Sequence, residues 1–203
     1  DTQLNALESL VNDGYNGFTF TPIDTQATTE IVDKANEEGI VTACIAQTQD
    51  NVKLSYTLDE YEYGHTIGEQ AGEWIKENLD GKAQVCIISQ DNVESVIPRG
   101  DGVEEALKEI CPDVEIVSRQ AGDTLEGGMD IVESVLAQYP DLNVVVGTND
   151  SGAIGGYQAM INAGKEGDEY AVFSGDATDE ALTYISEEDS IYRGTVDLFP
   201  YKG

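Results

Sequence analysis

Short apolar runs alternate along the whole chain with longer stretches in which apolar residues recur every third or fourth position. The short β-branched and aromatic runs predict strands, and the wider recurrence predicts amphipathic helices. Leu4, Leu7, Leu10 and Val11 form a first helical stripe closed at Gly14, after which Gly17 to Thr21 reads as a strand stopped by Pro22. Asp24 or Thr25 caps a second helix carrying Ala27, Ile31 and Ala35 to a stop at Gly39, and Ile40 to Ile45 is the next strand. Leu54 to Leu58 reads as extended. A long helix follows, with Ile67, Ala71, Trp74, Ile75 and Leu79 on its inner face and Gly81 at its end.

Ala83 to Ser89 is a strand, Gln90 to Ser95 a polar loop, and Val103, Ala106, Leu107 and Ile110 mark another helix. Val114 to Val117 is again strand-like, and Asp123 with Glu126 makes a capping box before Met129, Val132, Val135, Leu136 and Tyr139. Val144 to Val146 is wholly apolar, as expected of a parallel strand buried on both faces. Asn149 and Asp150 occupy the turn beyond it, and Ser151 can cap the helix that runs to Gly164. Tyr170 to Gly175 is a strand ending at Asp176, a helix from Thr178 carries Ala181, Leu182 and Ile185, and Tyr192 to Leu198 is the last strand. This alternation predicts the α/β class, with doubly wound parallel sheets and right-handed crossovers.

In such sheets the turns after the strand carboxyl ends line the ligand crevice, which puts Asn149 and Asp150 where a small molecule would be met. An amide that donates and accepts, beside a carboxylate that accepts, suits an uncharged hydroxylated ligand. Asn and Asp are also favoured in turns for local reasons, so capping and ligand binding both stay open here.

Composition narrows the function classes. The 203 residues carry a formal charge of −30, from 40 acidic against 10 basic side chains, which argues against phosphate backbones and anionic lipid surfaces and for a soluble monomer. No apolar stretch approaches membrane-spanning length. Cys44, Cys86 and Cys111 are too irregularly spaced for a metal knuckle or a disulfide framework and read as free thiols. His65 has neither a Cys pair nor a nucleophile beside it. No phosphate-binding loop or calcium loop occurs, and Gly152, Gly155 and Gly156 fall inside a helix, where they allow close helix-to-sheet packing. No catalytic residue, metal ligand or cofactor is therefore assigned.

Pro22 with Asp24, the segment from Asp59 to Gly64, Arg99 to Gly102, Asn149 with Asp150, and Ser174 to Asp176 stand in a specific order. Together they resemble the sugar-binding proteins of bacterial ABC importers, the ribose- and galactose-binding type I periplasmic binding proteins. The resemblance spans nearly the whole chain; its motifs are specific as an ordered set and weak singly. It implies two doubly wound parallel-sheet lobes: residues 1–58 as an incomplete N-terminal lobe, 59–198 as the C-terminal lobe, and 199–203 as the return crossing. The family's opening strand and closing helix have no counterpart, so a fragment is expected.

The resemblance also implies the site. Arg99, Asn149 and Asp176 fall on positions that hold sugar hydroxyls. Gln90, Ser95 and Thr124 in the C-terminal lobe, with Gln47 and Thr21 in the N-terminal lobe, complete the expected ligand contacts. Arg99 has a surface salt bridge as its alternative, and Asp176 a helix cap ahead of Thr178. Ala46 and Gln47 replace the Asp-Arg pair of ribose binders, Leu198 replaces a hinge Gln, and aromatic residues are missing near Thr124 and Gly175, leaving stacking to the missing segment or to Phe199. The implied function is extracytoplasmic, in the periplasm or on a cell-surface lipoprotein. A sugar or polyol is captured between the lobes by hinge closure at Tyr56 to Asp59 and Leu198 to Pro200, then passed to an ABC permease, without nucleic acid or enzymatic turnover. The alternative is the effector-sensing domain of a lactose-repressor-type regulator, which would need a basic helix-turn-helix upstream.

Overall fold

The computed structural model describes residues 2–198. The expected return crossing over 199–203, and with it Phe199, lies outside the described residues. Two compact units meet in sequence at Leu58 and Asp59.

In the first unit, α1 (Thr2–Asn12), β1 (Gly17–Phe20), α2 (Thr25–Glu37), β2 (Val41–Ala46) and β3 (Leu54–Thr57) follow one another. The strands form a parallel sheet in the order β1-β2-β3. Asp24 caps α2 by accepting from the Gln26 and Ala27 N–H groups. Period-two alternation turns Phe18 and Phe20 to one face, where they meet Leu7 and Val11 of α1 and Ile31, Val32 and Ala35 of α2.

The second unit runs α3 (Glu60–Asn78), β4 (Gln84–Ser89), a 3-10 turn (Glu94–Val96), α4 (Ile97–Ile110), β5 (Glu115–Ala121), α5 (Leu125–Gln138), β6 (Val144–Gly147), α6 (Asp150–Asn162), β7 (Ala171–Gly175), α7 (Asp179–Ser186) and β8 (Tyr192–Val196). Its five parallel strands lie in the order β5-β4-β6-β7-β8. The chain therefore winds outward from β4 to β5, crosses back, and continues from β6 in the opposite direction. Every residue of β6 and β7 is buried, as the apolar run at Val144 requires of a strand covered on both faces. Each such Val or Phe contributes about 1.5–3 kcal/mol by leaving water.

The helices pack closely through glycines. A Cβ on Gly64 of α3 would strike the Arg99 carbonyl, and one on Gly155 of α6 would strike the Leu125 carbonyl at the start of α5. Gly156 faces the sheet, where a Cβ would lie 3.0 Å from Val145 Cγ1, as expected; Gly155 instead serves helix-to-helix contact.

Other boundaries differ from expectation for local reasons. β5 runs on through Ser118, Arg119 and Gln120, because an edge strand accepts polar residues that pair with β4. β8 stops at Val196, where its partner β7 ends at Gly175. Thr124, not Asp123, caps α5, and Asn149, not Ser151, caps α6. In both cases the cap is the residue that still has extended backbone as the helix begins.

Candidate functional site

The sheet of the second unit reverses its winding between β4 and β6, and ligands of open parallel sheets bind beyond the strand carboxyl ends at such a switch point. Gln90 follows β4, Thr148 and Asn149 follow β6, and Asp176 follows β7. Arg99 enters from α4, whose first turn is pre-formed by Pro98.

Arg99 is only 8% exposed. Its Nε donates to Glu60 Oε2 at 2.7 Å and its Nη2 lies 2.6 Å from the same oxygen. Nη1 donates to the Thr148 carbonyl at 3.0 Å and to Gln90 Oε1 at 3.3 Å, and the guanidinium carbon sits 4.9 Å from the centre of the Tyr63 ring. Four contacts thus engage a group with five N–H donors, so its planar fork is locked before any ligand arrives. The pairing is a buried ion pair joining α3 to α4, and the surface salt bridge alternative is excluded by this burial.

Asn149 Oδ1 accepts from the Gly152 N–H at 3.1 Å and Nδ2 donates to the Asp123 carbonyl at 2.9 Å. Capping therefore uses half of its capacity and leaves one amide proton and one lone pair. Asp150, expected beside it at the crevice, instead points inward and is 1% exposed. Its carboxylate binds Ser174, Thr178 and Thr195.

Asp176 does not cap α7; Thr178 does, accepting from the Ala181 N–H at 3.3 Å. Asp176 and Ala177 both have positive φ, 113° and 51°, so the chain makes a tight turn as it leaves β7. Burial pushes the Asp176 carboxyl up to about 6, with the Asp150 and Glu60 charges adding to the rise and the Arg99 charge opposing it. Tyr63 donates to the Val196 carbonyl at 2.8 Å, and its phenol is raised by burial and by the Asp176 charge.

The remaining candidates divide. Gln90 joins the Arg99 cluster and also lies 3.4 Å from Thr148 Oγ1. Thr124 caps α5 next to the Asp123 carbonyl that Asn149 holds. Ser95 is exposed in the 3-10 turn, and among the described residues no hydrogen bond ties it to Arg99 or Asp176. Thr21 and Gln47 belong to the first unit, just past β1 and β2: Thr21 Oγ1 and the Gln47 N–H both donate to the Ile45 carbonyl. Glu60 and Tyr63 lie within the ordered motif from Asp59 to Gly64, but the sequence assigns neither a site role, and it does not single out Thr148 at all. Glu60 and Tyr63 are one helical turn apart, and nothing local ties them to an arginine 39 residues later.

A family model described as a periplasmic binding protein domain matches residues 1–202. The ABC transporter periplasmic-binding protein YphF of Escherichia coli (strain K12) is 26% identical over 198 residues, 95% of this chain and 60% of that protein. The ribose import binding protein RbsB of Bacillus subtilis (strain 168) is 24% identical over 187 residues, covering 91% of this chain and 59% of that protein. The chain thus spans about three fifths of the length of these relatives. A periplasmic solute binding protein of an ABC transporter from Actinobacillus succinogenes 130z, solved with bound D-allose, superposes with a TM-score of 0.85 at 22% identity, over 98% of this chain and 72% of that one. The Caulobacter myo-inositol binding protein superposes with a TM-score of 0.78 at 22% identity, over 93% and 64%. Both are likenesses of fold.

Proposed function

Since the chain belongs to the periplasmic binding protein domain family, we propose that it is the solute-receiving part of an ABC importer's extracytoplasmic binding protein, taking a small neutral sugar or polyol. Residues 1–58 are then part of the N-terminal lobe and 59–198 the C-terminal lobe, and delivery is to a membrane permease without chemical turnover. One observation carries the reading. A locked arginine in the first turn of α4, an amide with one donor and one acceptor to spare after β6, and a carboxylate made reactive toward donors by burial after β7 stand beside the carboxyl ends of the strands.

The pieces suit hydroxyl recognition. Asp176 would accept from ligand hydroxyls, Asn149 would take part with its remaining proton and lone pair, and Arg99 would offer its last N–H. Charge-assisted bonds of this kind contribute about 1.5–3 kcal/mol each. Glu60 neutralises Arg99, so the cluster has no strong pull on an anionic ligand, which favours a neutral one.

Relatives bear names or titles that specify ribose, D-allose, xylitol and myo-inositol. Calorimetry of the purified whole protein against these four compounds tests the proposal. Saturable binding of at least one, weakened tenfold or more by Asp176→Ala, is expected. Unaltered affinity in that variant would remove Asp176 from the site, and no binding of any of the four would remove the neutral-polyol reading.

A further inference from the structure

Asp150 is buried more completely than any side chain assigned to the ligand, yet both of its oxygens are in use. Oδ1 accepts from Ser174 Oγ at 2.5 Å and Thr195 Oγ1 at 2.7 Å, with Tyr192 Oη at 3.3 Å. Oδ2 accepts from the Thr178 N–H and the Thr178 hydroxyl, both at 2.7 Å. Ser174 and Thr178 stand two residues to either side of Asp176. Thr195 Oγ1 in turn accepts from the Ala177 N–H at 3.1 Å, and the Asp176 N–H donates to the Val196 carbonyl at 2.8 Å.

Asp176 and Ala177 both occupy the left-handed side of φ, which side-chain-bearing residues adopt only when their surroundings impose it. The surroundings here are one buried carboxylate, fastened at once to the end of β7, to β8 and to the first residue of the α7 cap. We propose that Asp150 is a positioning residue for solute binding: it pins both ends of the β7–α7 turn and thereby sets the direction in which the Asp176 carboxylate meets the ligand. This rests on the ligand role proposed for Asp176. Direct contact of Asp150 with ligand is ruled out by its four short hydrogen bonds and its burial.

Asp176 faces Arg99 on α4, Glu60 on α3 and Asp150 on α6, and its charge is felt by Tyr63 and Tyr192. Asp150→Asn removes a charge from this group as well as a fastening, whereas Thr195→Val breaks the fastening and leaves every charge in place. Both variants are compared with wild type by carboxyl NMR titration of Asp176, amide hydrogen exchange, and calorimetry with D-ribose, D-allose, xylitol and myo-inositol.

In Thr195→Val the Ala177 and Thr178 amides should exchange at least tenfold faster. The Asp176 midpoint should leave its wild-type position near 6, and affinity for the bound compound should fall at least threefold. Thr195→Ser, which keeps the hydroxyl, should restore all three. Asp150→Asn, which removes a charge that raises the Asp176 carboxyl, should lower the midpoint and cost tenfold or more in affinity. A folded Thr195→Val protein with wild-type exchange, titration and affinity overturns the proposal, whether or not Asp150→Asn folds. If the wild type binds none of the four compounds, the functional reading falls, while exchange and titration still decide whether Asp150 sets the turn.

Discussion

Replacing Asp176 with Asn should make the ligand-free protein more stable and, at the same time, a poorer receptor. Burial, with the charges of Asp150 and Glu60, raises the Asp176 carboxyl from 3.8 to about 6 against the pull of Arg99. The folded protein therefore holds this proton more tightly than the unfolded chain does. Its contribution to stability is complete below pH 3.8 and is lost as pH rises through about 6. The interval between those values amounts to about 3 kcal/mol at 1.36 kcal/mol per tenfold change in proton affinity, which the neutral Asn does not lose. Trp74, the single tryptophan of the chain, lies in α3 of the second unit, so urea unfolding followed by its fluorescence reports on that unit. At about pH 7.5 the variant should gain up to ~3 kcal/mol, and near pH 4 the two proteins should converge. Asp113→Asn, at an exposed carboxylate, controls for relief of general repulsion among the acidic residues. Affinity at pH 7.5 should drop at least tenfold, and wild-type affinity should itself weaken below pH 6 as Asp176 takes up its proton. A variant no more stable than wild type at pH 7.5, or one whose gain is as large at pH 4, refutes the desolvated-carboxylate reasoning.

Arg99→Met should destabilise the second unit by about 3–5 kcal/mol, because it leaves the largely buried Glu60 carboxylate unpaired, and adding Glu60→Gln should recover much of that loss in the same urea assay. Gly64→Ala drives a methyl group into the Arg99 carbonyl and should cost about 1–3 kcal/mol or more by thermal unfolding, with weaker sugar binding because Arg99 moves with its helix. Cys44, Cys86 and Cys111 are buried free thiols, and burial pushes Cys86 up to about 12. Alkylation at about pH 8 without reductant should therefore label none of the three in the folded protein and all three once it is unfolded, as read by mass spectrometry.

Features that depend on neighbours along the chain are legible in the amino-acid sequence alone. The strand at Val144, the stripe from Leu4 to Val11 and the Asp24 cap are set by periodicity and by a side chain reaching its own backbone two or three residues on. The ordered motifs carry Arg99, Asn149 and Asp176 to their places after or beside the strand ends. The chemistry those residues have left to offer is decided elsewhere. Asn149 and Asp150 are adjacent and both polar, and nothing local says that the first keeps donor and acceptor capacity while the second spends its carboxylate inside the fold. Glu60 neutralises Arg99 across 39 residues, and Thr195 reaches Asp150 across 45. Such pairs form only once strand order places α3 beside α4 and β8 beside β7. A side chain's charge is a property of the residue, but its solvation and its free hydrogen-bonding capacity belong to whatever the folded chain packs around it.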